Sequence, residues 1–126
     1  ACPNGFEPNP LVIKRVKAIN QNDKLLKIFN DPINAVRGAN VLYTDVWSSM
    51  GEENQKEDKD KKFNGFMIDN NLLNKANSDA IVLHCLPAYR GKEISNEVIE
   101  CSKSRVFEQA ENRMHAQQAL LSCLFS

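Results

Sequence analysis

Two reactive side chains stand at the end of a short apolar run in the middle of the chain. The run 80–83 (Ala-Ile-Val-Leu) is followed at once by His84 and Cys85, and then by Leu86 and Pro87. Four apolar residues between polar flanks predict a buried strand. Ligands of open α/β sheets bind outside the carboxyl ends of the strands, so the thiol and the imidazole are placed to meet one. The alternative is structural, with Cys85 as a small core residue and His84 as a hydrogen-bonded polar group.

A second strand-like segment also ends in polar groups. Residues 40–46 (Asn-Val-Leu-Tyr-Thr-Asp-Val) are rich in β-branched and aromatic side chains, and Asp45 is followed by the turn Ser49-Met50-Gly51. In a parallel sheet both segments end at the same edge. A carboxylate can bind an ammonium group, while a hydroxyl and a backbone N–H can bind a carboxylate. This edge therefore suits a small zwitterion, whose cationic group would also favour ionisation of the thiol.

Strands and helices alternate along the chain, which predicts an α/β fold with a doubly wound, mainly parallel sheet flanked by helices. Further strands are predicted at 24–29 and 105–107, and a final helix at 111–124. Helices are also predicted after the capping residues Asn9, Asp31, Asp69 and Ser95. The highly charged stretch 52–62 is typical of a solvated helix or loop.

The composition is that of one ordinary globular domain. The 126 residues are 42% hydrophobic and 25% charged, and 16 basic side chains balance 16 acidic ones. We therefore expect no nucleic-acid partner, and no membrane partner because no apolar run approaches the roughly 20 residues that cross a bilayer. Four widely spaced cysteines without a C-x-x-C pair favour reduced thiols in the cytoplasm over a disulfide framework or a metal site.

Three motifs, in order, resemble those of ornithine carbamoyltransferases. They are 45–51 (Asp-Val-Trp-Ser-Ser-Met-Gly), 84–87 (His-Cys-Leu-Pro) and 107–117 (Phe-Glu-Gln-Ala-Glu-Asn-Arg-Met-His-Ala-Gln), and the turn 5–8 also fits. The resemblance implies an incomplete Rossmann-like ornithine-binding domain of the aspartate/ornithine carbamoyltransferase fold. That domain would span 1–109 without its first strand, and a helix at 110–126 would pack on an absent carbamoyl-phosphate domain.

The implied reaction transfers the carbamoyl group of carbamoyl phosphate to the δ-amino group of L-ornithine, and gives L-citrulline and phosphate in arginine biosynthesis. No cofactor and no metal are implied, the two substrates are the partners, and the whole enzyme would be a homotrimer. The residues implied to bind ornithine are Asp45, Ser49 and Met50, the last through its backbone.

The residues implied in catalysis are Cys85, His84 and Arg113, and those implied to bind carbamoyl phosphate are Cys85, Leu86 and Arg113. Attack by an amine requires loss of its proton, donors for the developing oxyanion and cations for the phosphate. Asp45 and Cys85 would supply negative charge beside the amine, and Arg113 would reach the carbonyl oxygen. The Leu86–Pro87 peptide bond is expected to be cis.

One part of the family pattern, the Ser-Thr-Arg-Thr phosphate motif, is not in this chain, which is therefore expected to be an inactive fragment by itself. Aspartate carbamoyltransferases are the nearest alternative in the family, but their pattern at this point resembles His-Pro-Leu-Pro, whereas residues 84–87 of this chain are His-Cys-Leu-Pro. The turn 49–51 also favours ornithine as the substrate. Two alternatives stay open: a carbamoyltransferase for another amine, and a non-catalytic module that binds an amino acid or a partner.

Overall fold

A computed structural model describes residues 1–19, 25–48 and 56–125. Its helices and strands are, in chain order, α1 (Pro10–Ile19), α2 (Pro32–Val36), β1 (Val41–Thr44), α3 (Lys56–Lys62), α4 (Asn70–Leu73), β2 (Ile81–His84), α5 (Asn96–Ile99) and α6 (Val106–Phe125). In this part of the chain, no helix has the length and apolar character needed to span a membrane.

Strands β1 and β2 form a parallel pair. Val41 lies opposite Ile81 and Thr44 lies opposite His84. The chain between them contains α3 and α4, as expected because parallel neighbours need a crossover rather than a tight turn. The strands predicted at 40–46 and 80–83 are confirmed, and so is an α/β fold with parallel strands and flanking helices.

Side-chain caps begin the short helices, as predicted from the sequence. Asp31, Asp69 and Ser95 each accept a hydrogen bond from a backbone N–H in the first turn of α2, α4 and α5. Asn9 does the same at α1, where its side-chain oxygen accepts from the Leu11 N–H. These caps fix where each helix starts relative to the strands.

The strand predicted at 24–29 is not present in the described part of the chain. Residue 24 lies outside it, and residues 25–29 have no strand conformation. The Cys2 N–H donates to the Phe29 carbonyl at 3.0 Å, but no ladder of such bonds forms there among the described residues. A strand needs a paired neighbour, so local β propensity is not sufficient to form one.

The strand predicted at 105–107 is wrong, because Val106 is the first residue of α6 and is fully buried. The backbone just before it joins the sheet instead. The Val82 N–H donates to the Lys103 carbonyl, and the Arg105 N–H donates to the Val82 carbonyl, both at 2.9 Å. The segment predicted as a strand therefore consists of the residue after a single β-bridge at Ser104 and the first residues of α6. The expected boundary between 109 and 110 lies within α6 and stays a prediction.

The core lies against the buried face of the β pair. Its members are Val36, Leu42, Ile68, Leu72, Leu73, Ala80, Val82, Ile94, Val98, Ile99 and Val106. Full burial of such a side chain typically contributes about 1.5–3 kcal/mol. By contrast, no residue of α1 is buried, and α6 buries only Val106. The core therefore supports the strand ends, while these two helices leave apolar side chains exposed.

Candidate functional site

The carboxyl ends of β1 and β2 bring together three of the predicted site residues. A carboxylate oxygen of Asp45, a ring nitrogen of His84 and the sulfur of Cys85 all lie within 4.8 Å of one another. Alternate residues of a strand point to opposite faces, so Asp45 and Cys85 share one face with Tyr43, and His84 turns into the core. The structure thus places a carboxylate and a thiol side by side at the sheet edge.

Cys85 is partly buried, and its surroundings oppose its ionisation. Burial raises the pKa of the Cys85 thiol from its ordinary value of 9.0, and a hydrogen bond and the negative charge of Asp45 raise it further. A hydrogen bond with the Tyr43 hydroxyl lowers this pKa. With these neighbours, sulfur carries its proton at neutral pH, and a cation placed beside Asp45 would favour the thiolate.

His84 is fully buried and is bonded at both ring nitrogens. Its Nδ1 accepts from the Leu86 N–H at 2.9 Å, and its Nε2 lies 3.1 Å from Oε1 of Glu93. An accepting Nδ1 requires the proton to be on Nε2, which therefore donates to Glu93. Neither nitrogen is left to exchange a proton with a substrate. The geometry fits a positioning role for His84 better than the catalytic role expected from the sequence.

The same bonds decide how well this cluster suits a metal ion. With both nitrogens of His84 engaged, Asp45 and Cys85 remain as two potential ligands, whereas zinc sites use three or four protein ligands. Among the residues that the structure describes, the donor set at this edge therefore does not fit a zinc ion. The sequence-based expectation that the chain binds no metal stays a prediction.

The segment after Cys85 turns sharply. Leu86 has a φ of 54°, which is uncommon for a residue other than glycine, and the Leu86–Pro87 peptide bond is cis, as the resemblance implies. Glu93 stabilises the turn from its buried side. Its Oε1 accepts hydrogen bonds from the His84 ring and from the Tyr89 N–H, the second at 2.6 Å. Glu93 is fully buried, although nothing in the pattern around it distinguishes it from a surface acid.

Gln109 ties α6 to the sheet edge. Its Oε1 accepts from the backbone N–H of His84 at 3.1 Å, and its Nε2 donates to the Tyr43 hydroxyl at 3.0 Å. The sequence alone predicts no role for Gln109 or Tyr43, although Gln109 lies in the third motif and Tyr43 lies in the first predicted strand that ends in polar groups. Arg113 follows Gln109 by one helical turn and is exposed on the same side of α6.

A family model for the Asp/Orn-binding domain of aspartate/ornithine carbamoyltransferases matches residues 1–124. The chain belongs to this family. It is 69% identical over 124 residues to an ornithine carbamoyltransferase of Prochlorococcus marinus subsp. pastoris (strain MED4), covering 98% of this chain and 40% of that protein. An ornithine carbamoyltransferase of Methanocorpusculum labreanum is 53% identical over 119 residues, covering 94% and 38%.

Solved structures of the carbamoyltransferase family show the same fold. The anabolic ornithine carbamoyltransferase of Campylobacter jejuni superposes with a TM-score of 0.86 at 41% identity, covering 98% of this chain and 41% of that one. The ornithine carbamoyltransferase of Pyrococcus furiosus gives 0.82 at 42% identity, covering 95% and 39%. The family inferred from the three motifs is confirmed, and the chain spans about two fifths of the length of the curated relatives it matches.

Of the other residues expected from the carbamoyltransferase motifs, the structure describes Arg113 but not Ser49 or Met50. Ser49 and Met50 lie outside the described residues, so their roles stay predictions. The Arg113 side chain makes no hydrogen bond or ion pair with any residue that the structure describes, and it is exposed to solvent. A cavity of about 450 Å³ lies along β1 and is lined in part by Tyr43 and Asp45, whereas Cys85 is not part of its wall.

Proposed function

We propose that this chain is the ornithine-binding part of an ornithine carbamoyltransferase, which transfers the carbamoyl group of carbamoyl phosphate to the δ-amino group of L-ornithine and releases L-citrulline and phosphate. The observation that carries the proposal is the pairing of Asp45 with Cys85 at the ends of two parallel strands. Two acidic groups at this distance are suited to hold one ammonium group.

The proton of that ammonium group is the first obstacle to the reaction, because only the neutral amine can attack the carbamoyl carbon. Asp45 is exposed and can bind the cation. The cation in turn favours release of the Cys85 proton to solvent, and the resulting thiolate can accept one proton from the ammonium group. A neutral amine and a thiol result, so charge and protons balance. The raised pKa of Cys85 makes the thiolate a better base for this step.

Two further groups complete the proposed site. Arg113 can donate to the carbonyl oxygen of carbamoyl phosphate and so stabilise the negative charge that develops there. Ser49 and Met50 bind the amino-acid part of ornithine in this proposal. His84 holds the turn through Leu86 rather than moving a proton. Cations for the leaving phosphate would come from the rest of the protein.

The oligomeric state and the cellular location of the whole protein can be proposed from the same resemblance. We propose that the whole protein is a homotrimer in the cytoplasm and acts in arginine biosynthesis. The cytoplasmic location is supported by the four cysteines, which are not joined in disulfides in the part of the chain that the structure describes.

Calorimetry can test the proposed substrate. The protein for this experiment, hereafter the joined protein, is this chain fused after the part of the Prochlorococcus marinus MED4 enzyme that it does not match. L-ornithine and L-aspartate are titrated in the presence of a stable carbamoyl phosphate analogue. We expect binding of L-ornithine and none of L-aspartate. Binding of L-aspartate alone, or of neither amino acid, would contradict the proposal.

A further inference from the structure

Tyr43 shares the exposed face of the sheet edge with Cys85. It lies opposite Leu83 in the register, so the next residue of β2 on that face is Cys85. Tyr43 is 56% exposed, and its hydroxyl lies close enough to the Cys85 thiol to lower the pKa of that group through a hydrogen bond. A second bond links the same hydroxyl to Gln109 at 3.0 Å.

The direction of each hydrogen bond follows from the atoms involved. The backbone N–H of His84 can only donate, so the Gln109 atom that it meets at 3.1 Å is the carbonyl Oε1. The amide nitrogen of Gln109 therefore faces Tyr43, and an amide nitrogen can only donate. The Tyr43 oxygen accepts this bond. Its own hydrogen is left to be donated, and the Cys85 sulfur is the partner within reach.

We propose that Tyr43 is a positioning residue that donates a hydrogen bond to the Cys85 sulfur, with its direction set by Gln109. The hydrogen bond is inferred from the shared sheet face and from the orientation of Gln109, whereas its use in carbamoyl transfer rests on the proposed function. It stabilises the thiolate and so opposes the effect of Asp45. Of the other described groups near the sulfur, His84 of β2 is turned into the core and bonded at both nitrogens, and Gln109 of α6 is uncharged.

The pH profile of Cys85 alkylation tests this inference. Iodoacetamide reacts with the thiolate, and mass spectrometry of the Cys85 peptide from the joined protein gives a rate at each pH. In Tyr43→Phe, we expect the midpoint to rise by about one pH unit, which makes alkylation about tenfold slower below the midpoint. Tyr89→Phe, the matched control that removes the only other phenol, should leave the midpoint unchanged. Cys123, on the distant end of α6, is an internal reference whose alkylation rate should be the same in every variant of the joined protein.

A double-mutant cycle with Gln109→Glu tests the direction of the bond. A carboxylate at position 109 accepts the hydrogen bond from the Tyr43 hydroxyl, which is then no longer donated to Cys85. The negative charge of the carboxylate also raises the midpoint of Cys85 alkylation. In the Tyr43→Phe background only the charge effect remains, so the rise should be smaller there. Equal rises in both backgrounds, or an unchanged midpoint in a folded Tyr43→Phe protein, would overturn the inference. Absence of citrulline formation by the unsubstituted joined protein, with these shifts intact, would instead refute the proposed function.

Discussion

Asp45 opposes the ionisation of Cys85, and this arrangement makes the thiol responsive to a cation. Negative charge on Asp45 raises the pKa of Cys85, after the larger effect of burial. An ammonium group between them removes the repulsion and gains attraction from both side chains. The site therefore reaches its fully charged form mainly when an amine is bound, which ties formation of the base to the presence of its substrate.

Substitution of Asp45 by Asn tests this role because it keeps the shape and removes the charge. A hydrogen bond to a charged group typically contributes about 1.5–3 kcal/mol, so the affinity of the joined protein for L-ornithine should fall about 10- to 100-fold. Carbamoyl phosphate binding should survive. The control Asp79→Asn, an exposed acid at the other end of β2, should change neither affinity. Calorimetry of each variant with each ligand measures both affinities. A loss of affinity confined to carbamoyl phosphate would show that Asp45 binds that substrate and not L-ornithine.

The raised pKa of Cys85 also predicts how stability depends on pH. As the pH rises past the ordinary value of 9.0, the unfolded chain releases this proton before the folded one does. The stabilisation is therefore complete below the unfolded-state pKa and is lost as the pH rises towards the folded-state pKa. Urea unfolding at about pH 7.5 and about pH 9.5 should show a larger loss in the wild type than in Cys85→Ser. Equal losses in the two proteins would contradict the assignment.

At the scale of elements, His84 and Glu93 join the end of β2 to the segment before α5. Loss of the carboxylate would leave the buried Nε2–H of His84 without this acceptor in the protein interior, and would also remove the acceptor of the part-buried Tyr89 N–H. Each buried unpaired group costs about 1–3 kcal/mol.

Glu93→Ala should therefore lower the free energy of unfolding by at least about 1–3 kcal/mol, while Glu93→Gln keeps an accepting oxygen and should recover most of the loss. The control Glu100→Gln removes an exposed ion pair with Arg90 and should cost about 0–1 kcal/mol. Urea denaturation measures the free energy of unfolding of these three variants and of the unsubstituted protein. If the Gln and Ala variants were equally destabilised, the accepting oxygen would not be what supports the turn.

The elements also show which features a sequence can predict. The caps Asp31 and Ser95 were predictable because they bond within their own helix turn. The burial of His84 and the bond from Gln109 to Tyr43 were not, since these partners are 9 and 66 residues apart in the chain. The start of α6 was missed for the same reason, because Val106 begins a helix through its packing in the core rather than through its β propensity.

At the scale of the whole molecule, α1 and α6 carry apolar side chains that this chain does not cover. Ile19 is 86% exposed, and Leu121 and Leu124 are 54% and 66% exposed. Apolar surface removed from water contributes about 25 cal/mol per Å², so a covering partner would add several kcal/mol to a stability of about 5–15 kcal/mol.

We expect the chain alone to be marginally stable and prone to aggregation, and the joined protein to be soluble with a higher melting temperature. Leu121→Glu should reduce aggregation of the chain alone and destabilise the joined protein, because it places a charge on the surface that the partner covers. Size-exclusion chromatography and thermal melts report both effects. A soluble, cooperatively melting chain whose behaviour Leu121→Glu does not change would show that this face needs no partner.

The most direct test of the proposed function is an assay of citrulline formation from L-ornithine and carbamoyl phosphate. The joined protein should form citrulline, this chain alone should form none, and Cys85→Ser in the joined protein should keep its melting temperature and lose most of the turnover. Citrulline formed by this chain alone, or undiminished turnover in Cys85→Ser, would contradict the assignment of this sheet edge as the ornithine half of a two-part active site.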